Sequence, residues 1–248
     1  MHSTSNHWRQ ALVLILVIGS LAILMMHAPI KQDLSYHQFV DVRTMFGIPN
    51  FYNVISNFPF LLVGIVGSIF CQRKMTGTSK MAWLIFYIGI GLVALGSTYY
   101  HLEPGNQRLL WDRLPMAVGF MGLFAALLGE LIAPALTRYL LFPLILVGIG
   151  SVLVWHFYND LRLYVWVQFM PLLVIPALLI LYHKPYSHSY LLVLALGFYV
   201  AAKLLEVFDT QVFSFFQYEM AGHAIKHLFA AMGAAMILWM LRVRKRLD

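Results

Sequence analysis

Apolar residues in this chain come in long runs, broken by short polar interruptions, from near the start almost to the end. A helix needs roughly 20 apolar residues to cross the hydrocarbon core of a bilayer. Eight runs reach that scale: Ala11–His27, Asn50–Cys71, Met81–His101, Asp112–Ala133, Leu136–His156, Tyr164–Tyr182, Tyr190–Phe208 and Ala221–Leu241. The segments between them are too short for a separate soluble domain, and no internal repeat, low-complexity tract or long linker appears. The pattern predicts an all-α membrane protein with a seven-transmembrane-helix core and one additional N-terminal transmembrane helix, eight in total. Residues 1–49 would form the N-terminal tail, first helix and exoplasmic loop, 50–241 the core, and 242–248 a basic cytoplasmic tail.

Composition agrees: 61% hydrophobic and 11% charged residues lie outside the range of soluble domains. A net charge of +7 could suggest nucleic acid, but its distribution argues against such a partner. If the runs alternate in direction, Arg9, Arg73, Lys74, Lys80, Arg138, Lys184, Arg242, Arg244, Lys245 and Arg246 fall on one side. Lys31, Arg43, Arg108, Arg113 and Arg162 fall on the other, with most of the acids. That bias places both termini in the cytoplasm and makes the basic tail a topology signal. Arg9 and the apolar run after it resemble a signal peptide, yet Met26-His27-Ala28 is a poor cleavage site, so a retained anchor is expected. The lone Cys71 excludes an internal disulfide or a multi-thiolate metal site and reads as packing. Trp8, Trp83, Trp111, Trp155 and Trp239 lie close to predicted helix ends, where aromatic belts form.

Against this apolar background a few polar residues stand out. Ser97-x3-His101 ends the third membrane run, Asp112 opens the fourth, and His223-x3-His227 opens the eighth. Alternation puts all five at similar depth near the exoplasmic face. Residues four apart share a helix face, so His223 and His227 can aim at one point, and Ser97 can stand beside His101. A single histidine in a membrane helix is more often a hydrogen-bond partner than a ligand. The joint placement sets these three apart from His2, His7, His27, His37, His156, His183 and His188, which fall in tails, loops or helix ends. Three imidazoles suit Zn(2+) and leave one position open, as a catalytic site requires. Asn53, Ser56 and Asn57 form a polar face that must point into the bundle, where they can support the ligands. Lys203 and Glu206 are spaced to pair within one helix. A bis-histidine haem would need facing imidazoles deeper in the bilayer. A transporter would be expected to show repeated, broken helices.

These blocks resemble the alkaline ceramidase family, part of a superfamily of seven-helix membrane hydrolases that also includes adiponectin/progestin-type receptors. The resemblance spans roughly Asn50–Leu241. It rests on the Asn53-x-x-Ser56-Asn57 opening of the first core helix, Ser97-x3-His101, Asp112-x-Leu114-Pro115-Met116, and His223-x3-His227. It implies that His101, His223 and His227 hold zinc, that Asp112 handles protons, and that Ser97 sits beside a metal-bound water. The substrate it implies is a long-chain N-acyl sphingoid base reaching the bundle from the membrane. The first helix is an addition to the family core, and Asn50 stands where the family has a glutamate. Asp33 and Asp41, with Arg43 beside them, are a poor set for the calcium associated with some members.

The expected activity is zinc-dependent intramembrane hydrolysis of the amide bond of an N-acyl lipid, by attack of a metal-bound water. Two alternatives remain at this point: a zinc-containing lipid receptor or sensor with little turnover, and a lipid ester hydrolase or remodelling enzyme. The lack of a long lumenal loop or retention signal points to a bacterial inner membrane. No oligomeric state follows from the sequence.

Overall fold

In hydrocarbon every backbone N–H and C=O must be satisfied internally, so apolar runs of this length fold as helices. The computed structural model describes residues 7–247; residues 1–6, His2 among them, and Asp248 lie outside the described residues. The chain is an all-α membrane protein with ten α-helices and a short 3-10 helix (Leu34–His37) among the described residues: α1 (His7–Met26), α2 (Phe51–Ile55), α3 (Phe58–Lys74), α4 (Lys80–Leu102), α5 (Asn106–Leu131), α6 (Pro134–Tyr158), α7 (Arg162–Leu181), α8 (Tyr190–Val207), α9 (Asp209–Phe215) and α10 (Gly222–Val243). Eight spans are long and apolar enough to cross a membrane, α2 and α3 together making one of them.

Three details differ from the hydropathy pattern. The run from Asn50 is broken at Ser56–Asn57, because Pro59 has no N–H to continue the ladder and the side chains of Ser56 and Asn57 bond back to the Asn53 carbonyl. α5 begins at Asn106, so Asp112 lies well inside the helix rather than at its start. The short α9 was not foreseen, its mixed composition giving no clear period.

α4 lies between α3 and α5, α6 packs on α5, and α7 rests against α1, α5 and α6. α8 packs on α10, and that pair meets the remaining helices mainly through α3 and α9. Two glycines set the spacing around the histidines. A Cβ on Gly96 would fall 2.0 Å from the Trp111 carbonyl oxygen, and one on Gly222 2.3 Å from that of Leu205. Only glycine permits such approaches. The first brings α5 against Ser97 on α4; the second seats the start of α10 on α8.

Trp8, Trp111 and Trp239 are exposed, but Trp83 and Trp155 are buried and do not belong to an interfacial belt. Trp83 donates to Glu130 Oε1 at 2.7 Å, and Trp155 lies under Arg113. Cys71 is buried in the core, as its apolar setting suggested. The basic C-terminus is anchored rather than free. Arg244 forms a two-pronged pair with Glu130 at 2.6 and 2.8 Å and stacks on Tyr186 at 4.0 Å. The N–H of Ser187 donates to the Lys245 carbonyl at 2.9 Å.

α1 is held through α7: Trp166 Nε1 donates to the Val17 carbonyl at 3.1 Å, and Arg162 Nη1 to that of His27 at 2.7 Å. The Arg162 side chain also holds the Asp160 carboxyl below the usual carboxylate range by hydrogen bonding to it. From the end of α1 the chain returns as a strap, residues 27–50, across the end of the bundle where the histidines lie.

Candidate metal centre

His101 sits in the last turn of α4 and is 1% exposed. The Asn50 side-chain amide donates to its carbonyl oxygen at 2.9 Å, and Asn50 itself takes a left-handed backbone, φ 48°, which asparagine tolerates. At the start of α10 the His223 N–H donates to Asp209 Oδ1 at 2.7 Å. Burial pushes the Asp209 carboxyl above its usual range. One turn on, His227 shares the inward face of α10 with His223, as the four-residue spacing requires. The three ring centroids form a near-equilateral triangle with sides of 5.0, 5.1 and 5.1 Å. One ring nitrogen from each lies within 4.8 Å of the others. The strap closes over them: the Phe39 ring lies 4.8 Å from His101 and 4.6 Å from His223.

The imidazoles fit a metal ion on two grounds. Ser56 Oγ donates to the Asn53 carbonyl at 3.2 Å and lies 2.8 Å from His227 Nδ1. With its proton directed to that carbonyl, the hydroxyl accepts from Nδ1–H, which leaves a lone pair on His227 Nε2 for a ligand. His101 Nδ1 and His223 Nε2 are buried with no hydrogen-bond partner. An unsatisfied buried polar group costs about 1–3 kcal/mol, and an ion shared among three imidazoles would remove that penalty. Asp112 stands outside the ligand set. Supporting bonds of the Ser56 kind are typically worth 10- to 100-fold in metal affinity, so Ser56→Ala is expected to weaken binding by about that factor in a chelator competition. An unchanged affinity would remove Ser56 from the site.

No family model and no curated protein matches this chain. What the site does is therefore read from its own geometry.

The histidines face a polar cavity of about 180 Å³ whose wall also carries Ser97 and Asp112. The close pass at Gly96 explains this pairing, since it sets the α5 backbone at Trp111–Asp112 against α4. All five residues singled out by depth thus line one space. Of the three polar residues expected around the ligands, Ser56 alone bonds to a histidine. Asn57 donates to the Asn53 carbonyl at 2.8 Å and Asn53 to that of Asp41 at 3.4 Å, bracing the turn beneath. The Asp41 carboxylate is engaged by Arg43 at 2.9 and 2.7 Å, and Asp33 accepts from the Ser35 N–H at 2.9 Å. Both acids weighed for calcium are committed to local bonds.

Tyr36, Arg113 and Lys226 also line the cavity and were missed. Glu206 accepts from Lys203 at 2.8 Å, the pair foreseen from spacing, but also from Lys226 and from the Tyr36 hydroxyl at 3.1 Å. Burial holds the Tyr36 phenol well above its usual pKa, so it remains a donor. A signal for Lys226 was present: a charged residue inside an apolar run, between two candidate ligands, is by default functional.

Beyond the polar cavity lies an apolar one of about 140 Å³, sharing Phe60, Val93, Met116, Tyr199 and Ala230 with it. Each helix contributes residues farther from its histidine end; on α5 the lining runs from Met116 to Leu127. From Asp112 to Leu127 the helix rises about 22 Å at 1.5 Å per residue. α7 and α8 make little direct contact on this side. They are bridged by Gln168 Nε2, which donates to the Tyr199 hydroxyl at 2.9 Å.

Proposed function

We propose that the protein is a zinc-dependent intramembrane hydrolase that cleaves the amide bond of an N-acyl lipid, akin to the alkaline ceramidases. One observation carries the reading: three buried imidazoles, two with orphaned nitrogens, converge beside a carboxylate at the polar mouth of a long apolar cavity. A divalent zinc held by His101, His223 and His227 would supply Lewis acidity, polarising a carbonyl and acidifying water. The chain's own groups do the rest. Asp112 takes the proton of the attacking water and returns it to the departing amine nitrogen. Ser97 donates a hydrogen bond to the carbonyl oxygen as negative charge builds on it. The apolar cavity orients the acyl chain, and Phe39 on the strap limits water at the rings. In this reading both termini are cytoplasmic, the histidine end lies near the exoplasmic face, and the host membrane is a bacterial inner membrane.

The test is a panel of long-chain lipids presented to purified protein in detergent: a ceramide, an N-acyl amino acid, an N-acylethanolamine and a carboxylic ester. Fatty acid should be released from at least one amide faster than from the ester, and a zinc chelator should stop it. Release from none of the amides would sink the reading, and saturable binding without turnover would favour a receptor.

A further inference from the structure

The polar cavity is not balanced in charge. Its wall carries three cations, Arg113, Lys203 and Lys226, against two carboxylates, Asp112 and Glu206. Glu206 takes both lysines. Asp112 and Arg113 are neighbours on a helix, where consecutive side chains do not face one another. Other nearby acids are committed: Asp41 to Arg43, Asp160 to Arg162, and Asp209 to the His223 N–H. Arg113 makes no ion pair with any acid among the described residues.

Arg113 is nonetheless deeply buried and firmly placed. It is 6% exposed, and its guanidinium lies 4.1 Å from the Trp155 ring centre, 4.8 Å from that of Tyr164 and 5.7 Å from that of Tyr36. Nη2 donates to Gln32 Oε1 at 2.7 Å, while Nη1 has no partner. Aromatic faces stabilise a cation without using its N–H donors. They leave a pre-set fork suited to a carboxylate or a phosphate, which take parallel N–H bonds from one guanidinium.

We propose that Arg113 is a specificity-determining residue that receives an anionic group, carboxylate or phosphate, on the amine half of the lipid. The inference rests on the amide-hydrolase reading and names its substrate class. Position along the bundle gives the direction. An acyl chain in the apolar cavity lies against α5 from Met116 onward, its carbonyl at the histidines. The amine half then points away from that cavity, toward the strap and the Tyr36–Trp155–Tyr164 cluster that holds Arg113. A neutral head group would leave a buried cation unanswered.

Matched lipid pairs test this on the full chain in detergent, with affinity read from tryptophan fluorescence. The pairs are N-oleoylglycine with N-oleoylglycinamide, and ceramide 1-phosphate with ceramide; the pair that responds identifies the anion as carboxylate or phosphate. The anionic member of one pair should bind about tenfold tighter or more, the scale of a charge-assisted hydrogen bond. Arg113→Gln should bring that pair to parity, and Arg113→Lys should keep part of the preference. Parity in the unaltered protein for both pairs overturns the proposal without recourse to any variant. So does a preference that survives in Arg113→Gln. Oleate binding as tightly as N-oleoylglycine, and as dependent on Arg113, also overturns it by placing the anion on the acyl half. Charge-selective binding with no hydrolysis of any lipid sinks the amidase reading while Arg113 keeps its anion. Hydrolysis indifferent to charge does the reverse.

Discussion

Purified protein is expected to contain about one zinc per chain, and the His223→Ala/His227→Ala double variant almost none. The double change removes two of the three proposed ligands and leaves His101, which cannot hold a divalent ion alone at useful affinity. Both histidines project into the cavity, and one of them carries an orphaned nitrogen, so alanine removes a penalty as well as a packing surface. The variant should therefore remain helical by circular dichroism, separating loss of metal from loss of fold. Elemental analysis of the two proteins decides the matter. Near-stoichiometric zinc in the double variant would contradict the ligand assignment, whatever its activity.

Asp112→Asn is the complementary case: metal content should be unchanged while turnover falls about 10²- to 10⁴-fold, the usual worth of a positioned general acid–base. That is a barrier increase of about 3–5 kcal/mol. Asparagine matches the carboxylate in size and keeps an oxygen on the cavity wall, yet it cannot accept and return a proton at neutral pH. On the proposed reading the loss should fall on kcat, with KM little altered, because the acyl chain would be gripped in the apolar cavity, away from Asp112. Retained turnover would remove Asp112 from the chemistry; lost metal would move it into the ligand set.

Much of this site was legible in the sequence because two one-dimensional signals carried it. Hydropathy gave the spans, and counting them placed Ser97, His101, Asp112, His223 and His227 at one end of the bundle. The four-residue spacing then turned His223 and His227 inward together. Ser56 followed from the same logic, as a polar residue on an otherwise apolar helix. What failed to show were partnerships between distant segments. Arg113 meets Gln32 across 81 positions, Glu130 meets Arg244 across 114, and Tyr36 meets Glu206 across 170. Periodicity reports which face of a helix is apolar but not which residue of another segment will answer a buried charge. For the same reason Trp83 and Trp155 were assigned to the lipid interface. Their nearness to helix ends was visible, whereas the Glu130 carboxylate and the Arg113 guanidinium that hold them inside were not.

The sparse contact between the α8–α10 pair and the other helices has a consequence of its own. α10 is tied at both extremities, where Arg244 grips Glu130 at one and the imidazoles with Ser56 gather at the other, and near its middle the Tyr87 hydroxyl donates to the Ala234 carbonyl. Between those ends the apolar cavity opens beside Ala230, Gly233, Ala234 and Ile237, although Ala231, Ala234 and Ile237 also pack in the buried core. An ion held by His101 on one side of this seam and by His223 and His227 on the other would be mortar as well as the reagent proposed above. Stripping it should unlatch one end of α10 while Arg244 keeps hold of the other.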